Sequence, residues 1–193
     1  MLGLKLPTDP RWVNIVEKNI DEILTDHAFC EQKAASTAIS LIVSFPEYTE
    51  LTQEMIALSR EEMGHFKMVH DRIIARGQTL GRYRKDEYVI ELMKFFPKGG
   101  SRTNQLVHRL LYAALIEARS CERFRLLSEQ LQDKELAEFY HKLMISEAGH
   151  YTMFLKFARQ YGDLKEVNEK WQDLLEYEAE IMKNLGKKET IHG

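Results

Sequence analysis

"SREEMGHFK" at residues 59–67 and "ISEAGHYTM" at residues 145–153 each contain a Glu-x-x-His step with a glycine directly before the histidine. Residues three positions apart share one face of a helix, so each step presents a carboxylate and an imidazole in the same direction. A glycine within a helix costs roughly 0.5–1 kcal/mol relative to alanine. Gly64 and Gly149 are therefore expected either to leave room beside the histidine, for a neighbouring helix or a small ligand, or to be tolerated at a packing contact. The two steps supply four candidate metal ligands, which are Glu62, His65, Glu147 and His150.

The composition of the 193-residue chain, 44% hydrophobic and 30% charged, is typical of a globular protein, and its length predicts a single domain over residues 1–193. No apolar run approaches the ~20 residues of a membrane span. The opening residues lack the basic start and apolar run of a signal peptide, so we expect a cytoplasmic protein without a membrane partner. Cys30 and Cys121 lie far apart with no CxxC spacing, which argues against a disulfide framework and a structural zinc site.

Apolar residues recur with helical spacing along nearly the whole chain, and no stretch shows the alternation typical of a strand. The pattern predicts an all-α protein. Asp26 and Ser101 are expected to cap the beginnings of helices, another helix is expected to begin at about Asp133, and Gly77 and Gly162 are expected to end helices. The predicted helices span about 10–24, 26–45, 47–76, 89–96, 101–130, 133–161 and 163–185, followed by a frayed tail over 186–193.

The second, third, fifth and sixth predicted helices each carry an apolar stripe of alternating three- and four-residue steps, as in helix bundles. Each stripe has a glutamate near its centre. The first two of these glutamates are equally distant from the turn near Pro46, and the other two from the turn near Gln132, so each pair lies at one level of an antiparallel hairpin. The four stripe glutamates are Glu31, Glu62, Glu117 and Glu147.

Buried carboxylates at these positions require compensating cations, because an isolated charge in a protein core costs several kcal/mol or more. One glutamate from each of two helices, with a Glu-x-x-His step from each of two others, is the arrangement of di-iron and di-manganese carboxylate proteins. Carboxylates and imidazoles suit either metal. A metal-free bundle with buried salt bridges is the alternative. Glu122 lies off the level of Glu117, on a face shared with Arg119, and is expected to pair with a nearby arginine.

Five stretches of the chain resemble the MiaE-type tRNA hydroxylases. They are "DHAFCEQKAASTA" (26–38), "SREEMGHF" (59–66), "RGQTLGRYRKDEYV" (76–89), "LIEARSCERF" (115–124) and "FYHKLMISEAGHY" (139–151). The similarity spans most of the chain. The third and fourth stretches are the specific ones, because the ligand pattern alone is shared by the ferritin-like superfamily. The resemblance implies a ferritin-like four-helix bundle with additional flanking helices.

The resemblance also implies an activity. The family hydroxylates the isopentenyl group of 2-methylthio-N6-isopentenyladenosine beside the tRNA anticodon, using two iron ions in a di-iron centre, dioxygen as co-substrate and an external electron donor. The expected partners are tRNA and an electron-transfer protein, either a reductase or a ferredoxin-like protein. Carried over residue by residue, the metal ligands are Glu31, Glu62, His65, Glu117, Glu147 and His150, the same set that the apolar stripes indicate.

The net charge of −3 gives no general attraction to nucleic acid, so a contact with RNA requires a local basic surface. The region from Arg72 to Lys85 is rich in arginine and offers Tyr83 for stacking, and a second basic group accompanies the glycines of "FFPKGGS". The predicted RNA contacts are Arg72, Arg76, Arg82, Tyr83, Arg84, Lys85, Lys98 and Arg102. The alternative is a solvated loop whose charge is balanced by neighbouring acids, which are Asp71, Asp86 and Glu87.

Two other functions fit parts of the pattern. An iron- or peroxide-handling relative of ferritin and rubrerythrin would share the ligand arrangement, but rubrerythrin-like proteins usually carry a CxxC…CxxC iron site, which this sequence lacks. They also tend to have an extra glutamate one turn from the ligand on the fifth helix, where this chain has Ala114 and Ser120. The other alternative is a helical RNA-binding protein without catalysis, which iron content and dioxygen consumption would distinguish.

Overall fold

The computed structural model describes residues 2–185 and 190–192, and every regular element among them is a helix, which confirms the predicted all-α class. The helices are α1 (Trp12–Lys18), α2 (Ile20–Ser44), α3 (Thr49–Ala75), α4 (Glu87–Met93), α5 (Arg102–Gln130), α6 (Lys134–Tyr161) and α7 (Leu164–Leu185). Within these described ranges, none of the helices combines the length and the apolar character that crossing a membrane requires.

The chain forms two compact units. Among the described residues, the first comprises 18–85 with 190 and 191, and we call it the α2–α3 unit. The second comprises 2–17, 86–185 and 192, and we call it the α5–α6 unit. Each is built on one helix hairpin, whose two long helices pack along each other, and in the second unit α4 packs on α7.

The beginning of α2 differs from the prediction. The helix begins at Ile20, after Asn19 leaves the helical conformation with φ −134° and ψ 36°. Asp26 was expected to cap this helix, but it lies within it and is buried. Its Oδ2 accepts a hydrogen bond from the backbone N of Ile191 at 2.7 Å. The capping prediction is therefore wrong, because a contact distant in sequence uses the carboxylate.

The predicted cap Ser101 and the predicted helix start at Asp133 are confirmed, and Asp133 also caps its helix. Ser101 Oγ accepts a hydrogen bond from the backbone N of Asn104 at 3.1 Å at the start of α5, and Asp133 Oδ1 accepts one from Leu136 N at 3.0 Å at the start of α6. Gly77, which has a positive φ of 74°, follows the end of α3. These local signals set the ends of α3, α5 and α6, and so the positions of the ligand-bearing helices.

A buried polar network fixes the N-terminal segment and α7 to α5. Fully buried Arg119 donates to Glu178 Oε1 from Nε at 2.9 Å and from Nη2 at 2.6 Å, and to Glu122 Oε2 from Nη1 at 3.0 Å. Thr8 donates to Glu122 from its backbone N at 2.9 Å and from Oγ1 at 2.7 Å. The Tyr88 hydroxyl donates to Glu178 Oε1 at 3.1 Å. The predicted pairing of Glu122 with an arginine is confirmed.

The end of the chain is ordered where the structure describes it. Ile191 and His192 are buried, so the predicted fraying is wrong at 190–192. The rest of the predicted frayed tail, 186–189 and 193, lies outside the described residues. Fraying is expected of a terminal segment that nothing holds, whereas Ile191 and His192 are held by partners far away in the sequence.

Candidate metal centre

All six predicted ligands are buried. The four glutamates are at most 5% exposed and the two histidines are 7% exposed. Each glutamate lies in the core-facing stripe of its helix, among apolar side chains with helical spacing. Burial on this scale demands a compensating partner for every carboxylate.

Three predicted ligands converge within the α2–α3 unit. Ligand atoms of Glu31, Glu62 and His65 lie within 4.8 Å of one another. His65 Nδ1 is 3.1 Å from Glu62 Oε2 and 3.7 Å from Glu31 Oε2. The ring is therefore turned so that Nδ1 faces the two carboxylates, while Nε2 lies 3.9 Å from Oε1 of Glu61.

The two carboxylates control the protonation of His65. Burial lowers the pKa of His65, but the hydrogen bonds and negative charges of Glu31 and Glu62 outweigh burial and raise the pKa to about 10. Without metal, a proton at neutral pH thus compensates these carboxylates. Because a metal binds the neutral imidazole, metal uptake here must displace that proton.

The α5–α6 unit holds a matching group. Ligand atoms of Glu117, Glu147 and His150 also lie within 4.8 Å of one another. His150 Nδ1 is 3.7 Å from Glu147 Oε2, and its Nε2 is 3.5 Å from Ser146 Oγ. Nδ1 again faces a carboxylate. Each unit therefore presents two glutamates and one histidine, which we call a half-site.

The chemistry of the half-sites fits iron. Glu147 Oε1 is buried and accepts no hydrogen bond within the described part of the chain. A buried carboxylate oxygen in that state is costly unless a cation binds it. Carboxylates with imidazoles are the donor set of di-iron carboxylate proteins. The buried clusters of glutamate and histidine therefore fit a di-iron site.

One residue outside the predicted ligand set contributes to the first half-site. His27 is fully buried, and its Nε2 lies 2.5 Å from Oε1 of Glu31. A hydrogen bond at this position orients the carboxylate and fixes which oxygen remains for a metal. The four-residue spacing on one helix is the signal that could have identified His27, because it places the ring one turn before Glu31.

The glycines beside the ligand histidines face outward. Gly64 and Gly149 are exposed, and a Cβ on either would meet no described atom within 4 Å. The expectations of a neighbouring helix and of a packing contact at these positions are therefore wrong. The physical reason is helix geometry: adjacent residues point in directions about 100° apart, so the position before a ligand leaves the ligand face.

Two of the predicted RNA contacts are paired with acidic residues of α2. Arg76 Nε lies 2.7 Å from Asp21 Oδ1, and Arg84 Nη2 lies 3.1 Å from Glu22 Oε2. Gly81 lies between them in sequence, and a Cβ there would come within 2.9 Å of Thr25 Cγ2. Only glycine therefore lets this loop approach α2 so closely.

The tip of the loop remains accessible. Arg82 and Lys85 are exposed and make no ion pair within the described ranges. Tyr83 is 54% exposed, its ring meets Phe29 edge-on at 5.6 Å between centroids, and Lys33 Nζ lies 4.9 Å from its centroid. The tip thus presents an aromatic face surrounded by cations.

Two of the three acids that were expected to balance this loop, Asp71 and Asp86, bond to residues outside the set of predicted RNA contacts. Asp71 Oδ2 accepts a hydrogen bond from Lys67 Nζ at 2.6 Å, and Asp86 Oδ1 accepts one from Val89 N at 3.1 Å as the cap of α4. Among the remaining predicted contacts, Arg72 Nη1 donates to Met68 O at 3.1 Å. Lys98 and Arg102 are exposed in the α5–α6 unit.

The whole described sequence is similar to known tRNA hydroxylases. The family model described as tRNA-(MS[2]IO[6]A)-hydroxylase (MiaE) matches residues 2–193. A tRNA 2-(methylsulfanyl)-N(6)-isopentenyladenosine(37) hydroxylase of Pseudomonas putida is 39% identical, over 85% of this chain and 78% of the relative. The protein of the same name from Salmonella typhimurium is 26% identical, over 98% of this chain and 87% of the relative.

A solved structure extends the comparison to the fold. It is protein 43 from Synechococcus, described as having aldehyde deformylating oxygenase activity. It matches with a TM-score of 0.91 and 31% identity, covering 98% of this chain and 95% of its own. The expected ferritin-like helical fold is thereby confirmed.

Proposed function

Because the chain belongs to the MiaE family of tRNA hydroxylases, we propose that it hydroxylates the isopentenyl group of 2-methylthio-N6-isopentenyladenosine beside the anticodon of tRNA. The single observation that carries this proposal within the molecule is the pair of buried half-sites, each with two glutamates and a histidine within 4.8 Å. As a tRNA-modifying enzyme, it would act in the cytoplasm.

We further propose that the two units are the halves of one domain over 1–193 and that their half-sites hold two iron ions together. The proposed ligands are Glu31, Glu62, His65, Glu117, Glu147 and His150. Four carboxylates and two neutral imidazoles would balance two divalent cations, so the loaded core would be close to neutral. This removes the repulsion that four buried carboxylates would otherwise create.

The protein's own residues have three tasks in this reaction. His65 and His150 would bind through Nδ1, the nitrogen that faces a carboxylate in each half-site. His27 holds Glu31. The surrounding apolar stripes exclude water, which strengthens electrostatic interactions within the site. Bound iron would supply the oxidation of a C–H bond by dioxygen, with electrons from a reductase or a ferredoxin-like partner.

The test is nucleoside mass spectrometry of tRNA treated with the iron-loaded protein, a reductant and air. The expected product is the isopentenyl nucleoside with one added oxygen atom. A protein that holds two iron ions, consumes dioxygen and leaves the tRNA nucleoside unchanged would contradict the proposal. An iron- or peroxide-handling protein would leave the tRNA nucleoside unmodified in this assay. Separate measurements would show that it consumes peroxide or oxidises iron.

We propose that tRNA docks on the exposed loop tip, where Arg82 and Lys85 flank Tyr83. Phosphate contacts by such cations give affinity that falls steeply with salt, and an exposed tyrosine can stack on an unpaired base. The variant Arg82→Glu/Lys85→Glu is expected to weaken tRNA binding and to reduce the slope of log affinity against log salt by about 1 per lost contact.

A matched control accompanies the docking test. Lys134→Glu/Lys165→Glu makes the same change of net charge at exposed positions of the α5–α6 unit, and it is expected to leave the salt slope unchanged. Equal effects from the two double variants would mean that only the overall charge matters. Unimpaired hydroxylation of whole tRNA by Arg82→Glu/Arg84→Glu at moderate salt would place the docking surface elsewhere.

Aldehyde deformylation is the second candidate, and the likeness to the Synechococcus structure favours it. The two candidates share a metal centre and differ in substrate. Incubation of the iron-loaded protein with an aldehyde and a reductant, followed by analysis for formate, distinguishes them. The loop tip also separates them, because Arg82→Glu/Lys85→Glu would impair only the reaction on tRNA.

A further inference from the structure

A buried chain of polar side chains lies in the α5–α6 unit, apart from the predicted ligands. His192 Nδ1 is 3.3 Å from Asp86 Oδ2, and His192 Nε2 is 3.0 Å from Ser120 Oγ. All three side chains are buried. Both nitrogens of one imidazole are therefore engaged, one by a carboxylate and the other by a hydroxyl.

Ser120, at one end of this hydrogen-bonded series, lies close to Glu117, a proposed metal ligand. Ser120 follows Glu117 by three residues on α5, so the two side chains share a helix face with Cβ atoms about 5–6 Å apart. The stripe that carries them is otherwise apolar around this level, with Ala113 and Phe124 on either side. A hydroxyl next to a metal ligand in this setting is a polar group that packing alone does not require.

Asp86, at the start of α4, is the other end of this hydrogen-bonded series. Asp86 caps α4 through Oδ1, which leaves Oδ2 for His192. Its neighbours in sequence, Lys85 and Glu87, are exposed. Asp86 is thus the member of the series that adjoins exposed residues in sequence, and the relay requires it to take up protons from solvent.

The His192 imidazole, between these two ends, is oriented by a stacked aromatic ring. The ring of Tyr88 stacks on His192 with 5.9 Å between centroids and 20° between planes. Tyr88 is in turn fixed by its hydrogen bond to Glu178, the partner of fully buried Arg119. A fixed ring keeps both hydrogen bonds aligned, as transfer of a proton along them requires.

We propose that Asp86, His192 and Ser120 form a proton relay that serves the metal centre. The inference rests on the proposed function. Hydroxylation by dioxygen inserts one oxygen atom into a C–H bond and releases the other as water, which consumes two electrons and two protons. The external donor supplies the electrons. The relay supplies one of the two protons in each turnover, and solvent at the site supplies the other. Asp86 takes up a proton from solvent and passes it to His192 Nδ1, His192 Nε2–H passes to Ser120 Oγ, and Ser120 Oγ–H passes toward the site. A half-turn of the imidazole between turnovers then restores the proton at the Nε2 position.

The relay makes a prediction for the iron-free protein that needs no turnover. Ring-nitrogen NMR of His192 should show one nitrogen bonded to a hydroxyl and the other to a carboxylate. Ser120→Ala should shift the Nε2 signal, and Asp86→Asn should shift the Nδ1 signal. If neither substitution moves the His192 signals in a folded protein, the hydrogen-bonded chain does not exist in solution and the proposal fails.

The second test measures proton transfer in the iron-loaded protein. His192→Gln and Ser120→Ala are expected to stay folded with the native iron content, although they melt at a lower temperature because each removes a buried hydrogen bond. They are expected to slow product formation by about 100-fold, the scale of a lost proton-transfer group. Their rates should also become more sensitive to D2O. Ser120→Thr, which retains the hydroxyl, should restore most of the rate, and His141→Gln at an exposed histidine should match the native protein.

The outcomes separate this inference from the function on which it rests. If the native protein with two iron ions does not hydroxylate tRNA, the proposed function fails while the NMR result still decides whether the chain exists. If the native protein is active and His192→Gln reacts at the native rate with an unchanged solvent isotope effect, the relay is wrong. Loss of iron in both variants would also overturn it, because their role would then be structural.

Discussion

Glu117 and Glu122 lie on the same helix, and their different surroundings give them different chemistry. Glu117 is grouped with Glu147 and His150, whereas Glu122 accepts hydrogen bonds from Arg119 and Thr8. Glu122 is therefore paired with a cation of the protein itself, Arg119. Glu117 lies in a group of acids that needs a metal.

We expect Glu117→Ala to lose bound iron and hydroxylase activity. Glu122→Gln should retain iron, but it should lower the free energy of unfolding by about 1–3 kcal/mol, because it weakens the buried hydrogen bonds from Arg119 and Thr8 while Glu178 still compensates the charge of Arg119. Iron analysis and urea unfolding of both variants provide the check. Loss of iron from Glu122→Gln with full retention in Glu117→Ala would show that the ligand has been assigned to the wrong acid.

His65 should make the stability of the iron-free protein depend on pH. Its pKa is raised from 6.5 to about 10 in the folded state by Glu31 and Glu62, against the effect of burial. The folded state therefore binds this proton more tightly than the unfolded state. The stabilisation is fully present below about pH 6.5 and is lost as the pH rises toward about 10.

Urea unfolding of the iron-free protein across this pH range measures the effect. His65→Gln serves as the control, because it removes the titrating ring and should flatten the dependence. A stability that rises between pH 7 and pH 10 in the native sequence, or the same fall in His65→Gln, would be inconsistent with a proton held between the carboxylates.

At the level of helices, the sequence correctly predicted those helix ends that are set by residues close by in the chain. The predicted cap Ser101, the predicted start of α6 at Asp133 and the end of α3 before Gly77 agree with the structure, because each depends on residues within one turn. Asp26 carries the same capping signal, yet its carboxylate bonds to Ile191. A single sequence does not show that partner.

In the candidate site too, features that depend on local spacing were predicted, and features that depend on distant contacts were not. The six proposed ligands were found from their spacing, since helix periodicity places them in buried stripes, and the structure groups them within each unit. The roles of Ser120 and His192 could not be found in this way. Their contact joins residues that are far apart in the chain, and no periodic pattern encodes it.

Gly64 offers a test of helix α3 that is independent of the metal. It lies in an exposed position within the helix, where a Cβ would meet no described atom within 4 Å. Gly64→Ala should therefore raise the free energy of unfolding by about 0.5–1 kcal/mol. Gly81→Ala is the contrasting variant, and it should be destabilising because its Cβ would come within 2.9 Å of Thr25. Destabilisation by Gly64→Ala would indicate an unrecognised neighbour at this surface.

For the whole molecule, metal binding and folding should be coupled. Each half-site holds two buried carboxylates that repel each other without a cation, and iron bound to the native state alone stabilises it by mass action. Removal of iron with a chelator should therefore lower the melting temperature, and adding ferrous iron back under anaerobic conditions should restore it. An identical melting temperature with and without iron would argue against ligands contributed by both units.

The division of the chain into two units has a consequence for optical measurements. Both tryptophans, Trp12 and Trp171, are buried in the α5–α6 unit, and the Arg123 guanidinium lies 4.4 Å from the centroid of the Trp12 ring. Tryptophan fluorescence, excited selectively over that of the tyrosines, therefore reports on this unit, whereas circular dichroism at 222 nm reports on the helices of both. Coincident melting curves from the two signals would show that the units unfold as one cooperative domain. Separated curves would reveal which half loses its structure first, without any label being attached to the protein.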